Sequence, residues 1–215
     1  MNVQSLLSQR MMEFNLLPSR TLHPSRHSTF APPDLVQRLH KEPVYQACWH
    51  RHWSRHILRM LGLEPVLDAD RPELAVALLL PPALLRLMQR VGATLCGPRL
   101  RHTIVGAEVR ELLAVLGKEE LGFARRGAVQ HHPGLPESAG WEIVHTAEAV
   151  DTLGRATLLT ALSAAGPALV RRVELKLPEG PLVDSPLAPA QALALSFAVL
   201  KDMDSTWFSS FPAIR

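Results

Sequence analysis

The chain has very little cysteine. Cys48 and Cys96 are the only two in 215 residues. They form no C-x-x-C pair, and two are too few for a disulfide framework, so a reducing compartment, the cytoplasm, is the expected setting. An export signal is also missing from the sequence. Arg10 and Glu13 interrupt what would have to be the apolar stretch of a leader, and no small-residue cleavage site follows. Long hydrophobic runs are absent as well. The most apolar one, LAVALLLPPALL from Leu74 to Leu85, is shorter than the roughly 20 residues a membrane helix needs and is broken by Pro81 and Pro82. It reads as two buried core segments joined by a turn, and no membrane insertion is expected.

The usual signatures of chemistry are missing too. G-x-S-x-G, a P-loop, H-E-x-x-H and an EF-hand loop do not occur, and Ser, His and Asp are scattered without a spacing that singles out a nucleophile. The glycines of GATLCGPRLRHTIVG only superficially resemble a phosphate-cradling loop, since no strand is predicted before them. The expectation is a protein without catalytic residues, cofactor or metal. Charge of one sign does not dominate either. The net charge is +3, with 8 Lys+Arg against 6 Asp+Glu in residues 1 to 70, 8 against 4 in residues 86 to 126, and 6 against 9 in residues 127 to 215. That is too mild to imply nucleic acid, although the basic middle could recruit an acidic partner.

What is present is a helical pattern. The 47% hydrophobic content over this length predicts one compact domain spanning 1–215, and 18 prolines and 12 glycines without period predict many short elements. Val3, Leu7, Met11 and Phe14 mark a first helix ending near Pro18. Residues 19–33 read as an extended surface loop or strap, with Leu16, Leu17 and Leu22 tying it to the body. Asp34 caps a short helix, and Pro43 opens a longer one to about Leu61, closed by Gly62. Leu84, Met88, Val91 and Leu95 form an i, i+4, i+7, i+11 series. PRLRHTIV starts another helix, and Val109, Leu112, Leu113 and Leu116 mark the next, ending at Gly117. The span from Trp141 to about Ala165 is helix-permissive, and Leu193, Phe197 and Leu200 share a face of the last helix. One segment breaks the pattern. Val173, Leu175 and Leu177 alternate with Arg172, Glu174 and Lys176, which suggests a short extended stretch. The expected class is therefore mainly α, with a possible strand at 173–177.

The densest cluster of functional residue types is CWHRHWSRH, Cys48 to His56. His52 and His56 stand four apart and suit two imidazoles on one zinc, but His50 is rotated by about 200° from His52, and two ligands do not make a site. Arg51, Arg55 and Arg59 could contact phosphates, with Trp49 and Trp53 as stacking platforms. Yet Tyr45, Trp49, Trp53, Ile57 and Met60 recur every three or four residues. This assigns the tryptophans to core packing and leaves the arginines and histidines on a solvated or partner-facing side.

Three segments, FNLLPSRTLHPSR, LMQRVGATLCGPRLRHTIVGAEVRELLAVLG and VRRVELKLP, together resemble the SctK/YscK family of type III secretion accessory proteins. The resemblance implies a helix-rich, non-enzymatic cytoplasmic adaptor of the injectisome sorting platform. It would link the SctQ-type pod protein to the cytoplasmic domain of the SctD-type inner-membrane ring protein, at the cytoplasmic face of that membrane. Arg99, Arg101 and Arg110, in the basic middle of the chain, are the expected partner-binding residues, acting on encounter rate and orientation. The alternative is a small nucleic-acid- or metal-binding regulator built on Cys48–His56.

Overall fold

The computed structural model describes residues 3–41, 46–136, 146–181 and 183–211. Among these the chain runs α1 (Val3–Leu16), α2 (His27–Phe30), α3 (Pro33–Lys41), α4 (Gln46–Met60), α5 (Leu74–Ala77), α6 (Pro81–Leu95), α7 (Gly97–His102), α8 (Gly106–Arg126), α9 (Thr146–Ala161), α10 (Pro167–Glu174), α11 (Pro189–Met203) and α12 (Ser205–Ser209), with short 3-10 turns between, and no strand occurs among the described residues. The mainly α expectation holds. Contacts group the chain into two compact units. The first takes the chain up to Leu84, Ala165–Glu179 and the chain from Ser210, and the second takes Leu85–Ala164 and Gly180–Ser209.

In the first unit, segment 19–33 is not extended. Pro18 and Pro24 each open a 3-10 turn, at Pro18–Arg20 and Pro24–Arg26, and α2 follows. Proline suits the first helical position because its missing N–H would have no partner there and its φ is already helical. Leu22 and Phe30 are buried, whereas Leu16 is 54% exposed, so Leu22 tethers this segment and Leu16 does not. A cluster of Leu22, Phe30, Ala31, Trp53, Ile57 and Leu175 forms the core here, with Val36, Trp49, Leu61 and Leu63 packed on it. Asn15 joins α1 to the chain beyond α4 through a paired amide contact, donating to Val66 O at 2.9 Å and accepting from Val66 N at 2.8 Å. As expected of the apolar run, Leu74 to Leu79 are all buried.

The suggested strand at Val173–Leu177 is overturned: α10 continues to Glu174 and a turn follows. The alternation was accidental, because two of its polar members, Arg172 and Lys176, are themselves buried. Leu169 and Val173, four residues apart, face the core from α10, and Leu177 in the turn after it is enclosed as well. Arg172 donates to Leu63 O and Glu64 O, at 3.5 and 3.0 Å. Lys176 donates to Ala77 O at 2.7 Å and Leu79 O at 3.1 Å. The Phe14 ring of α1 lies 5.9 Å from the Arg172 guanidinium and 4.9 Å from the Lys176 ammonium. Two buried cations are thus held by backbone carbonyls and one aromatic face, an arrangement that a hydropathy pattern cannot reveal.

In the second unit, Ala93, Cys96, Leu100, Leu112, Leu116, Leu121, Ala124 and Val150 form the core. Leu84, Met88, Val91 and Leu95 of α6 are all buried, in accord with their spacing. α6 and α9 approach until their backbones touch: a Cβ on Gly92 would lie 1.9 Å from Val150 O, and one on Gly154 2.1 Å from Met88 O. Only glycine fits at either place. The break expected at Gly117 is present as a non-helical residue, φ 80°, inside α8. Beyond it Glu120 accepts from Arg90 Nε of α6 at 2.8 Å, and Glu119 accepts from Arg90 Nη2 at 2.8 Å. The Arg90 guanidinium also sits 4.9 Å from the centre of the Phe123 ring. On α11 the fully enclosed residues are Ala192, Ser196, Val199 and Leu200, with Leu195 beside them. Leu193 and Phe197 are half-buried flanks of that face.

Candidate functional site

The nine-residue cluster lies on α4, which carries three arginines, three histidines and no Asp or Glu. At 100° per residue, Arg51, Arg55, Arg59, His52 and His56 occupy a continuous arc of about 140°. All five are exposed. Among the described residues none of them makes an ion pair. The arc is about 12 Å long from Arg51 to Arg59. The opposite face is apolar and buried through Trp53 and Ile57, with Trp49 half-buried between the two faces. Trp53 is therefore not available to stack on a base, and the core assignment of this stripe holds at both positions. Met60 departs from it: at 54% exposed it lies outside the core. Pro43 and Tyr45 lie outside the described residues.

Beside the aromatic face is a cleft of about 190 Å³ whose wall includes Leu22, Pro24, Val36, Trp49, His50 and Trp53, with Arg20 among the remaining lining residues. The two indoles have centroids 6.2 Å apart, and His27 meets Trp53 edge-on at 5.2 Å. Neither indole N–H has a hydrogen-bond acceptor among the described residues. Ser19 anchors the far wall: its Oγ is 2.9 Å from His50 Nδ1 and 2.7 Å from Ser54 Oγ, and its N–H donates to Ser54 Oγ at 3.2 Å. Ser19 is buried, and this knot ties the first 3-10 turn to α4. At the edge of this region, burial first, and then the neighbouring Arg26 and His27, push the His23 pKa down. The cleft was not visible in the sequence because its walls come from residues 19 to 36 and 46 to 53, joined only by folding.

His52 and His56 share a face as their spacing requires, but among the described residues no group of three or more His, Cys, Asp and Glu side chains could hold a metal ion. Cys48 is exposed and Cys96 is buried, the latter with its thiol pushed up to about 12 by burial. His145 lies outside the described residues.

Arg99 and Arg101 are on α7 and Arg110 is on α8. Arg110 is exposed and the other two are half-buried around the enclosed Leu100. Arg99 and Arg101, two residues apart, diverge by about 200° around their helix, so they flank the α7–α8 elbow rather than share one face. Nη1 of Arg101 is buried without a hydrogen-bond partner among the described residues. Sequence reasoning missed the tip of that elbow, where Ile104 is 84% exposed and Val105 is also exposed. A β-branched pair between two helix starts gives no periodic signal that separates a buried from an exposed turn.

Among the described residues no helix is long and apolar enough to cross a membrane. The fold and these surfaces define a helical protein with an exposed basic face on α4 and an exposed apolar turn at Ile104 and Val105. The chain belongs to the YOP proteins translocation protein K (YscK) family, whose model matches residues 11–201. It is therefore a component of type III secretion protein translocation. No curated protein and no solved structure matches the chain.

Proposed function

We propose that this protein is a non-enzymatic cytoplasmic adaptor of the sorting platform. It links the SctQ-type pod protein to the cytoplasmic domain of the SctD-type inner-membrane ring protein, at the cytoplasmic face of that membrane. The observation that supports the reading is an exposed basic face on α4 in the first compact unit, Arg51, Arg55 and Arg59, and a separate surface in the second unit, where exposed Arg110, Ile104 and Val105 accompany the half-buried Arg99 and Arg101. An adaptor needs two docking surfaces, and family membership supplies the secretion context. Around Arg99, Arg101 and Arg110 the exposed Ile104 and Val105 add apolar area to the charge, the mixture that characterises protein–protein contacts. The arginines act chiefly on encounter rate and orientation.

The test is titration calorimetry of the purified protein against the purified pod protein and the ring domain, separately and together. The expected result is two binary complexes and one ternary complex. Reversal of Arg99, Arg101 and Arg110 to Glu weakens one binary complex at low salt and leaves the circular dichroism spectrum intact. Unchanged affinity for both partners removes that arginine surface, and absence of both complexes removes the adaptor reading.

A further inference from the structure

We infer that α4 is a recognition surface for an acidic amphipathic segment of a partner protein, with carboxylates lying along Arg51, Arg55 and Arg59 and an apolar side chain seated in the cleft beside Trp49. The proposal deepens the adaptor reading and rests on it only for the identity of the protein that supplies the segment.

Charge complementarity selects the occupant. α4 has no acidic residue, and among the described residues its five exposed basic side chains have no ion-pair partner. Unpaired arginines spaced one helical turn apart match carboxylates at the same repeat on an opposing helix. The arc ends at His52 and His56, and Trp49 follows next around the helix, so the edge of the basic face is the wall of the cleft. A volume of about 190 Å³ accommodates one large aliphatic side chain and its neighbour, not a drug-sized molecule.

Two other anionic partners fit less well. A basic amphipathic helix binds a membrane surface by sinking its apolar face into the lipid, and here that face, Trp53 and Ile57, is spent on the protein core. Single-stranded nucleic acid requires stacking platforms, and Trp53 is enclosed.

The experiment uses the full chain and a tryptophan-free peptide of Glu and Leu, about four helical turns long, with the acidic residues on one face. Tryptophan emission reports occupancy of the cleft wall. Saturable binding at low salt is expected, weakened about tenfold or more in R51E/R55E/R59E, kept within about threefold in R51K/R55K/R59K, and unaffected by reversal of Arg99, Arg101 and Arg110. Equal binding by R51E/R55E/R59E overturns the proposal. So does equal binding of a peptide in which every Leu is replaced by Ser, or binding of only duplex DNA or only phosphatidylcholine–phosphatidylglycerol vesicles. The same variants are then titrated with the pod protein and the ring domain. Peptide binding without either protein removes the adaptor reading and leaves the α4 surface standing. Protein binding that R51E/R55E/R59E leaves unchanged, with no peptide binding, removes α4 and leaves the adaptor.

Discussion

Lys176 should make the stability of this fold rise with pH across the neutral and mildly alkaline range. Its ammonium is buried, bonded to Ala77 O and Leu79 O, and faces the Phe14 ring. Burial, and secondly the nearby Arg10, push its pKa down to about 7, with Glu13 acting in the opposite sense. In the unfolded chain a lysine titrates near about 10.4. Between these two values the unfolded chain binds more protons than the folded one, so stability increases as pH rises through the window. Below about 7 the lysine is charged in both states and its desolvation cost is felt in full. Each unit of difference amounts to about 1.4 kcal/mol, so the whole shift is on the order of 4 kcal/mol.

Other groups act in other windows. The His23 pKa is lowered from an ordinary value of 6.5, which places its effect on the acid side. The Arg172 guanidinium is lowered to about 10 and acts above that. The Cys96 thiol, raised to about 12, makes stability fall once the unfolded thiol ionises, above roughly pH 9. Wild type and K176M share these other effects, so the difference between the two proteins from about pH 7 to pH 9 isolates Lys176. The assay is urea denaturation of wild type and K176M at intervals of pH. Whatever the offset between the two proteins, wild type should gain roughly 2 kcal/mol relative to K176M over that interval. Parallel profiles would show that the ammonium is not responsible, and a wild-type profile that falls relative to K176M would reverse the sign of the argument.

Three further outcomes follow from the packing. Gly154→Ala pushes a methyl into Met88 O and should cost more than about 3 kcal/mol, whereas Gly117→Ala, with strained positive φ but open space around it, should cost about 1 to 3 kcal/mol, as read from thermal melts. Glu120→Ala, which strips Arg90 of its enclosed partner, should cost about 3 to 5 kcal/mol, and Glu119→Ala, 68% exposed, less than about 1 kcal/mol; equal losses would refute the assignment of the enclosed partner. With a thiol reagent, Cys48 should react in the native protein and Cys96 only after denaturation, and rapid reaction of both would contradict the enclosure of Cys96.

Much of the helical pattern could be read from spacing alone. Leu84, Met88, Val91 and Leu95 repeat along one face of α6, and Trp53 and Ile57 do the same on α4, because burial of one face imposes the period directly. Glycine has a low helix propensity, yet Gly154 in α9 is the condition for α6 and α9 to meet. Propensity describes a helix alone in water, whereas the glycine answers to a neighbour more than sixty positions away in the chain. The prolines at residues 18 to 33 carry the same ambiguity: each signals a loop or the first position of a helical turn, and the structure uses Pro18, Pro24 and Pro33 in the second way.

The misreading of Val173–Leu177 and the partial reading of α4 share one physical cause, which is that charge does not report exposure. On α10 and the turn after it, Arg172 and Lys176 are buried because carbonyls of Leu63, Glu64, Ala77 and Leu79 are positioned to receive their N–H groups. A sequence lists the donors and gives no view of those acceptors. On α4, Arg51, Arg55 and Arg59 share one side of a helix that has no acidic residue and an apolar stripe opposite, so outward orientation follows from the wheel without further information. The half of the surface that depends on α4 alone was legible, and the half that depends on Leu22, Pro24 and Val36 closing a cleft against Trp49 was not. If that division is correct, substitutions on the basic arc will change binding with little effect on folding, while substitutions at Leu22 will disturb both, since that side chain belongs to the core and to the cleft at once.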